Sequence, residues 1–415
     1  VNVDAYTTAP DPDRERQAEW RQTSVQKIQE DRQRRAERLR SEAGAIRRAT
    51  QQYLLIDRGL VEHVALAEGF VRVPDDVAQQ RRADRTGEVL IGDDIDQVGA
   101  GAGEPGDSSA EGRELIAEQD AHDAETRSAR QLLTRPPLTR LINRSSHAAV
   151  SVLLTAIYLA HVEGEPGSAY VNRHRNHLGA GLEASWVTLC GLFGAPGKRA
   201  RRARLTRALT RLNEHGFVQL GAAPQPFEGW SLLAESGSGR AYQVPGSGRS
   251  DVLRLPSTFF SRGWHLVLEP REIATLLALR DLTRRLRYKD QAAVEREGVA
   301  LPESVREDRY GISGEVYESV HELEEFGLLT IYDPMPNRRR GKVRKATAQQ
   351  QADSLDSESS LAPLPYRFKL TPESIFEQNA LDVVQKRLSD NALPPRLQDY
   401  YEWGMTQGLT FELPY

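Results

Sequence analysis

A chain of 415 residues, 39% apolar and 27% charged, has room for two or three domains, and its net charge of −4 excludes a global attraction to polyanions. The single cysteine, Cys190, excludes an intrachain disulfide and a cysteine-based zinc site, and fits a reducing cytoplasm. The longest apolar run, residues 147–162, is too short to span a bilayer, and the first twenty residues lack the apolar core of a signal peptide. A cytoplasmic protein with no membrane contact is therefore expected, and any nucleic-acid binding has to come from local charge asymmetry.

In chain order, residues 13–70 are heavily charged with few breakers before Gly44, which predicts a long helix. Ala36, Leu39, Ala43 and Ile46 alternate at three- and four-residue spacing. Such a seam suits a solvated helix packed loosely on the body, or a coiled coil that makes a homodimer. Residues 1–75 are read as a charged helical N-terminal segment and 76–135 as a flexible acidic linker, because "IGDDIDQVGAGAGEPGDSSAEG" (91–112) has scarcely any large apolar residue. A short helix is expected at 114–134, stopped by Pro136 and Pro137.

The body begins near residue 138. It is expected to hold an apolar core helix at 146–162, a helix near 182–193 and a basic helix at 198–215. Strand-like runs follow at 217–220, 230–233, 241–244 and 252–255. The order then repeats, with a helix at 269–287 opened by acid and Pro, one near 303–309, a helix-to-strand run at 314–332 and a strand at 366–371. The insert "KATAQQQADSLDSESS" (345–360) is low in complexity and expected to be disordered. The fold class is α+β, mainly α-helical.

Two segments superpose without a gap at an offset of 111. Leu205, Leu209, Leu212, Gly216, Phe217, Val218 and Leu220 match Val316, Val320, Leu323, Gly327, Leu328, Leu329 and Ile331. In each, an apolar helix face at i, i+4 and i+7 is followed by a Gly suited to a left-handed C-cap and then by a strand. Helix, Gly and strand in this order resemble the third helix of a winged helix–turn–helix passing into its wing. The resemblance covers residues 140–390 as two tandem copies, 136–255 and 256–390, followed by a tail at 391–415. The run "VLRLPSTFFSRGWHLVLEPREIATLLAL" (252–279) also resembles the opening of winged-helix domains in plasmid and phage replication initiators and in some transcription factors. Its matched residues Leu255, Phe259, Phe260, Trp264, Leu268, Ile273, Leu276 and Leu277 carry fold information more than function.

The copies differ in charge. In the first, Lys198, Arg199, Arg201, Arg202, Arg204, Arg207 and Arg211 have no acid among them, and like charges at this density repel unless an anion is near. The resemblance implies that this helix reads duplex DNA, some arginines on base edges and the rest on phosphates. In the second copy Glu315, Glu318, Glu322, Glu324 and Glu325 make the corresponding helix acidic, which suits solvent or a protein partner at 314–326. That copy is expected to touch DNA through a wing bearing Arg338, Arg339, Arg340, Lys342, Arg344 and Lys345, and through the strip Arg284, Arg285, Arg287 and Lys289. A winged-helix protein-interaction module is the alternative of another class.

No catalytic constellation is found, and neither an enzyme nor a cofactor is expected. "GLFGAPGKRA" (191–200) misses the phosphate-binding P-loop, because Leu192 stands where the first Gly is required and Arg199 follows the Lys. His161, His174 and His177 are too loosely spaced among basic neighbours for a metal site, and are expected at the surface or facing DNA. Cys190 sits among apolar residues as a buried structural thiol.

Overall fold

The computed structural model describes residues 12–57, 59–86, 135–142, 147–176, 185–192, 198–246, 248–334 and 365–390, with side chains for all of these but 12–25, 84–86 and 198. The sequence expectations for 91–112, 114–134, 345–360 and the basic wing 337–345 lie outside the described residues.

The molecule is mainly helical with small sheets. Helix α1 (Pro12–Asp57) leads through Gly59, at φ +73°, into strand β1 (His63–Ala67), the one-turn helix α2 (Glu68–Val71) and α3 (Asp75–Thr86). Expecting helix as far as residue 70 overran this strand: a five-residue apolar run fits either structure, and here β1 finds an antiparallel partner in β4 (Val252–Pro256).

Unit one comprises α4 (Pro137–Arg140), α5 (His147–Glu163), α6 (Trp186–Leu189), α7 (Lys198–Glu214) and the pair β2 (Val218–Gln219) and β3 (Ser231–Leu232). Helix α5 is the apolar core helix expected, buried all round from Ala149 to Ala160. Beyond β3, Leu233 bridges Ala241 and Gln243 bridges Ala169, so the segment after α5 joins the end of the hairpin. After β4 come the short helices α8 (Thr258–Ser261) and α9 (Trp264–Val267), where all eight apolar residues picked out at 252–279 are buried.

Unit two comprises α10 (Pro270–Lys289), α11 (Gln291–Glu297), β5 (Val299–Ala300), α12 (Glu303–Asp308), α13 (Gly314–Tyr317), α14 (Val320–Glu325), β6 (Leu329–Tyr332) and β7 (Arg367–Leu370). Its sheet order is β5–β7–β6, antiparallel throughout. A capping box between Glu269 and Glu272, with Pro270 in the first turn, starts α10. A 3₁₀ turn at Glu373–Glu377 and α15 (Ala380–Ser389) close the described chain.

The repeat at offset 111 holds at the level of single hydrogen bonds. Gly216 and Gly327 both take positive φ (+74° and +76°). Phe217 N–H donates to the Leu212 carbonyl and Leu328 N–H to that of Leu323, each at 2.9 Å, the six-to-one bond of a Schellman cap. The side chain three positions before each Gly accepts from the emerging strand in both units: Asn213 Oδ1 from Leu220 N–H at 3.3 Å, Glu324 Oε1 from Ile331 N–H at 2.8 Å. The returning chain then bonds to the same carbonyl, Leu233 to Phe217 and Thr371 to Leu328.

One apolar core runs through both units and includes α1. Ala36, Leu39, Ile46, Ala49 and Tyr53 of α1 are buried, so the seam packs tightly on the body of its own chain instead of loosely. At the centre the Tyr53 hydroxyl meets Thr155 Oγ1 of α5 and His265 Nε2 of α9, both at 3.2 Å, and donates to the Leu189 carbonyl of α6. Cys190 is buried beside this node, and burial pushes its thiol up to about 12. Residues flanking 87–134 on both sides meet one short stretch, 308–311: Arg81 donates to the Asp308 carbonyl at 2.9 Å, and Gly311 lies so close to Thr139 and Pro136 that a Cβ would come within 2.9 Å and 3.0 Å of them.

Candidate nucleic-acid interface

Helix α7 turns Leu205, Ala208, Leu209 and Leu212 into the core, and this decides where its basic residues go. The opposite arc exposes Arg199, Arg202, Ala203 and Arg207, with Thr206 and Thr210 half-buried between them. None of these three arginines has a carboxylate partner among the described residues, and only Arg207 is engaged at all, donating to the Ala203 carbonyl of its own helix. Arg204 lies on the flank facing α1, where its guanidinium meets Glu42 at 2.9 Å. Arg201 and Arg211 are half-buried, and Arg211 neighbours His215 and Arg140 at the C-terminal end of the helix. Lys198 opens the helix, and its side chain is outside the described residues. Of the seven basic positions, three thus face outward, Arg204 is paired with α1, and Arg201 and Arg211 are half-buried.

Two further arginines join the trio. Residues 171–175 alternate, exposing Val171, Arg173 and Arg175 and half-burying Asn172 and His174. Asn172 is fixed from both sides, its amide donating to the Trp230 carbonyl at 3.2 Å and its Oδ1 accepting from the Trp186 indole at 3.0 Å. The Arg175 carbonyl accepts from Trp186 N–H at 3.0 Å, and the next residue, Asn176, shares a cleft with Arg202, so the segment lies beside the arc of α7. The sequence signal for Arg173 and Arg175 was the two-residue alternation in "YVNRHRN", which the denser basic run at 198–211 overshadows. His174 is half-buried, its Nε2 2.6 Å from Glu163 Oε1. His161 accepts from Ala65 N–H at 3.1 Å through Nε2, and His177 is outside the described residues.

Unit two departs from the expected strip. Arg284 is bonded to Glu68, to Asp281 at 3.2 Å and to the Val252 carbonyl at 2.9 Å, and Arg285 to Asp75 at 3.1 Å. Asp281 is fully buried and also accepts from the Tyr310 hydroxyl at 3.0 Å, so these arginines neutralise an internal carboxylate cluster and leave the candidate interface. Burial still raises the Asp281 carboxyl above its usual range, against the pull of Arg72 and Arg284. Arg287, Tyr288 and Lys289, at the end of α10, are exposed. The wing residues Arg338, Arg339, Arg340, Lys342 and Arg344 lie outside the described residues.

Unit two meets α1 at two places, the end of its acidic helix (Glu325) and the start of α10 (Glu269 and Glu272). Arg32 pairs with Glu325, Arg35 with Glu272 (a second contact at 2.9 Å) and Arg38 with Glu269 at 2.6 Å, three rungs along one face of α1. Glu322 pairs instead with Arg271 of its own unit at 3.3 Å, and Glu324 caps β6, while Glu315 and Glu318 remain exposed. Helix α1 thus offers arginines to Glu325 and to the start of α10 in unit two, and Glu42 to Arg204 in unit one.

Comparison with protein-family models, with curated proteins and with solved structures found no match. Among the described residues no helix is long and apolar enough to cross a membrane, and no group of three or more His, Cys, Asp or Glu residues is placed to hold a metal ion.

Proposed function

We propose that the chain binds double-stranded DNA through two tandem winged helix–turn–helix units, with α7 of unit one laid in the major groove. The observation that carries this reading is the outward arc of α7: Arg199, Arg202 and Arg207 stand exposed without a carboxylate, while Arg204 on the α1 flank is neutralised by Glu42. Short side chains, Ala203, Thr206 and Thr210, lie between the arginines and let the helix approach base edges. Arg173 and Arg175 extend the cationic surface towards the phosphates. Unit two adds Arg287, Lys289 and the basic run 338–344 as backbone contacts. The protein acts by occupying a site, without chemistry of its own and without a cofactor, as a regulator of transcription at the nucleoid. Initiation of replication on a plasmid or integrative element is the alternative, and sites recovered from cells separate the two by falling at promoters or at an origin.

The triple variant R199A/R202A/R207A is expected to bind duplex DNA about 100-fold more weakly at low salt. Its log–log salt slope should fall by about two to three, at ~0.9 for each phosphate that is no longer neutralised. Mobility-shift titrations at several salt concentrations read both quantities, and unchanged affinity and slope would refute the assignment.

One observation favours a second reading, that of a protein-interaction subunit: unit two already grips a helix, α1, through its acidic face. A triple variant with undiminished DNA binding would favour this second reading.

A further inference from the structure

A cleft of about 200 Å³ opens beside the arginine arc, between the first half of α7 and the loop joining β2 to β3. Arg202 and Thr206 form one wall; Gln225, Phe227 and Glu228, with two prolines, form the other, and Asn176 lies between them. Asn176 is fully used, its amide donating to the Phe227 carbonyl and its Oδ1 accepting from the Trp230 indole at 3.4 Å. The groups around it are not. Arg202 and Glu228 line the same cleft and make no ion pair with each other, nor does Arg202 find another carboxylate among the described residues. Glu228 is engaged only through Oε2, which accepts a long bond from Asn176 N–H at 3.4 Å, and the Gln225 amide has no hydrogen-bond partner among the described residues.

A guanidinium and a carboxylate held apart across a cavity, with an aromatic ring and prolines as the apolar wall, suit a planar polar ring that carries negative charge at one end. A cavity of about 150 Å³ holds benzene, and this cleft of about 200 Å³ opens to solvent, so the larger bicyclic base enters it with its sugar outside. Among the nucleobases, guanine presents two adjacent donors, N1–H and the 2-amino group, which one carboxylate accepts together, and its O6 accepts from an amide.

We propose that this cleft binds a guanine nucleotide, with Glu228 on N1–H and the 2-amino group, Gln225 on O6, the ring against Phe227 and the phosphate on Arg202. The guanine comes either from an unstacked nucleotide of bound DNA, a source that rests on the DNA-binding reading above, or from a free nucleotide, which does not.

The test has two arms, both on the full chain. In the first, dGMP, dAMP, dCMP and dTMP are titrated and followed by tryptophan fluorescence, since Trp230 is bonded to Asn176 of the cleft. Saturable binding of dGMP at least tenfold tighter than the other three is expected, with the preference lost in E228Q and all affinities reduced in R202A. In the second arm, duplexes carrying one unpaired guanine or one unpaired thymine are compared. Tighter binding to the guanine bulge assigns the site to DNA; dGMP binding with equal affinity for both bulges assigns it to a free nucleotide. Absence of both effects, or a guanine preference that survives E228Q, overturns the proposal. Duplex binding that disappears in R199A/R207A without any guanine effect in either arm leaves the DNA reading standing and the cleft rejected. A dGMP preference in a chain that binds no duplex does the reverse.

Discussion

Arg35→Met is expected to lower the unfolding free energy by about 3–5 kcal/mol, a loss out of proportion to one contact in a protein with many ion pairs. The Arg35 side chain is only 9% exposed and its partner Glu272 is fully buried, so removing the guanidinium strands a carboxylate away from water. Glu272 also accepts from Glu269 N–H at 2.8 Å at the start of α10, so it has no freedom to swing out to solvent. The guanidinium lies over the Phe326 ring as well, 4.7 Å from its centroid, and this packing goes with it. Replacing both members with apolar side chains, R35M/E272L, should recover part of the loss: the unpaired charge is gone, but so is the bond from Glu269 N–H that helps to start α10. Urea unfolding of the three proteins decides the matter. A single variant within about 1 kcal/mol of wild type would show that the strut is not held by this pair.

Acidification below pH 6.5 should withdraw the stability contributed by two histidines that the fold holds neutral. Burial holds His265 at about 3, with the Tyr53 and Thr155 hydroxyls and no carboxylate at its Nε2. Burial also brings His147 down to about 4, although Glu269 and Glu42 nearby pull it upward against Arg38 and Arg204. Unfolded histidine titrates near 6.5, so between that pH and the folded values the unfolded chain binds the extra protons. Stability from each group is complete above about pH 6.5 and falls by up to ~1.4 kcal/mol per pH unit below it. Carboxyls raised by burial, among them Glu235, Glu322 and Glu325, work in the opposite direction, so the informative quantity is a difference between proteins. His265→Gln keeps a polar side chain at the node and removes the titration. Between pH 7 and pH 4.5 it should lose about 2–3 kcal/mol less stability than wild type, as read from urea midpoints. Equal losses would mean that His265 is not held neutral by its surroundings.

The parts of this architecture that are local in the chain could be read from the sequence. Spacing alone placed α5, α7 and α10, and the offset of 111 anticipated a cap that the structure reproduces bond by bond at Gly216 and Gly327. The apolar positions of 252–279 are core residues for the same reason: periodicity reports which face is buried. Pairing across the chain could not be read in this way. Asp281 three positions before Arg284 gives it a local partner, but Glu68, which also takes this guanidinium, lies 216 positions away. The acidic third helix of unit two suggested a foreign partner, because the arginines that meet it lie far off in sequence, Arg271 for Glu322 and Arg32 of α1 for Glu325. Strand β1 went unseen because its partner β4 lies beyond the whole of unit one. Of the candidate interface, the helix was legible and its outward trio was not, since only the packing of α7 separates Arg202 from Arg204.

The contacts at α12 have a consequence for how the chain is assembled. Arg81 and the Pro136–Thr139 turn meet the same short stretch, 308–311, so the acidic segment between them departs from and returns to one place. Its two flanks are therefore held together by contacts of the body itself. Everything before it, α1 and β1 included, belongs to the body that follows. The length of such a detour enters stability only logarithmically, about 0.6 kcal/mol for each doubling. Evolution is therefore free to lengthen, shorten or re-charge this segment while the strut, the core and the arginine arc stay as they are.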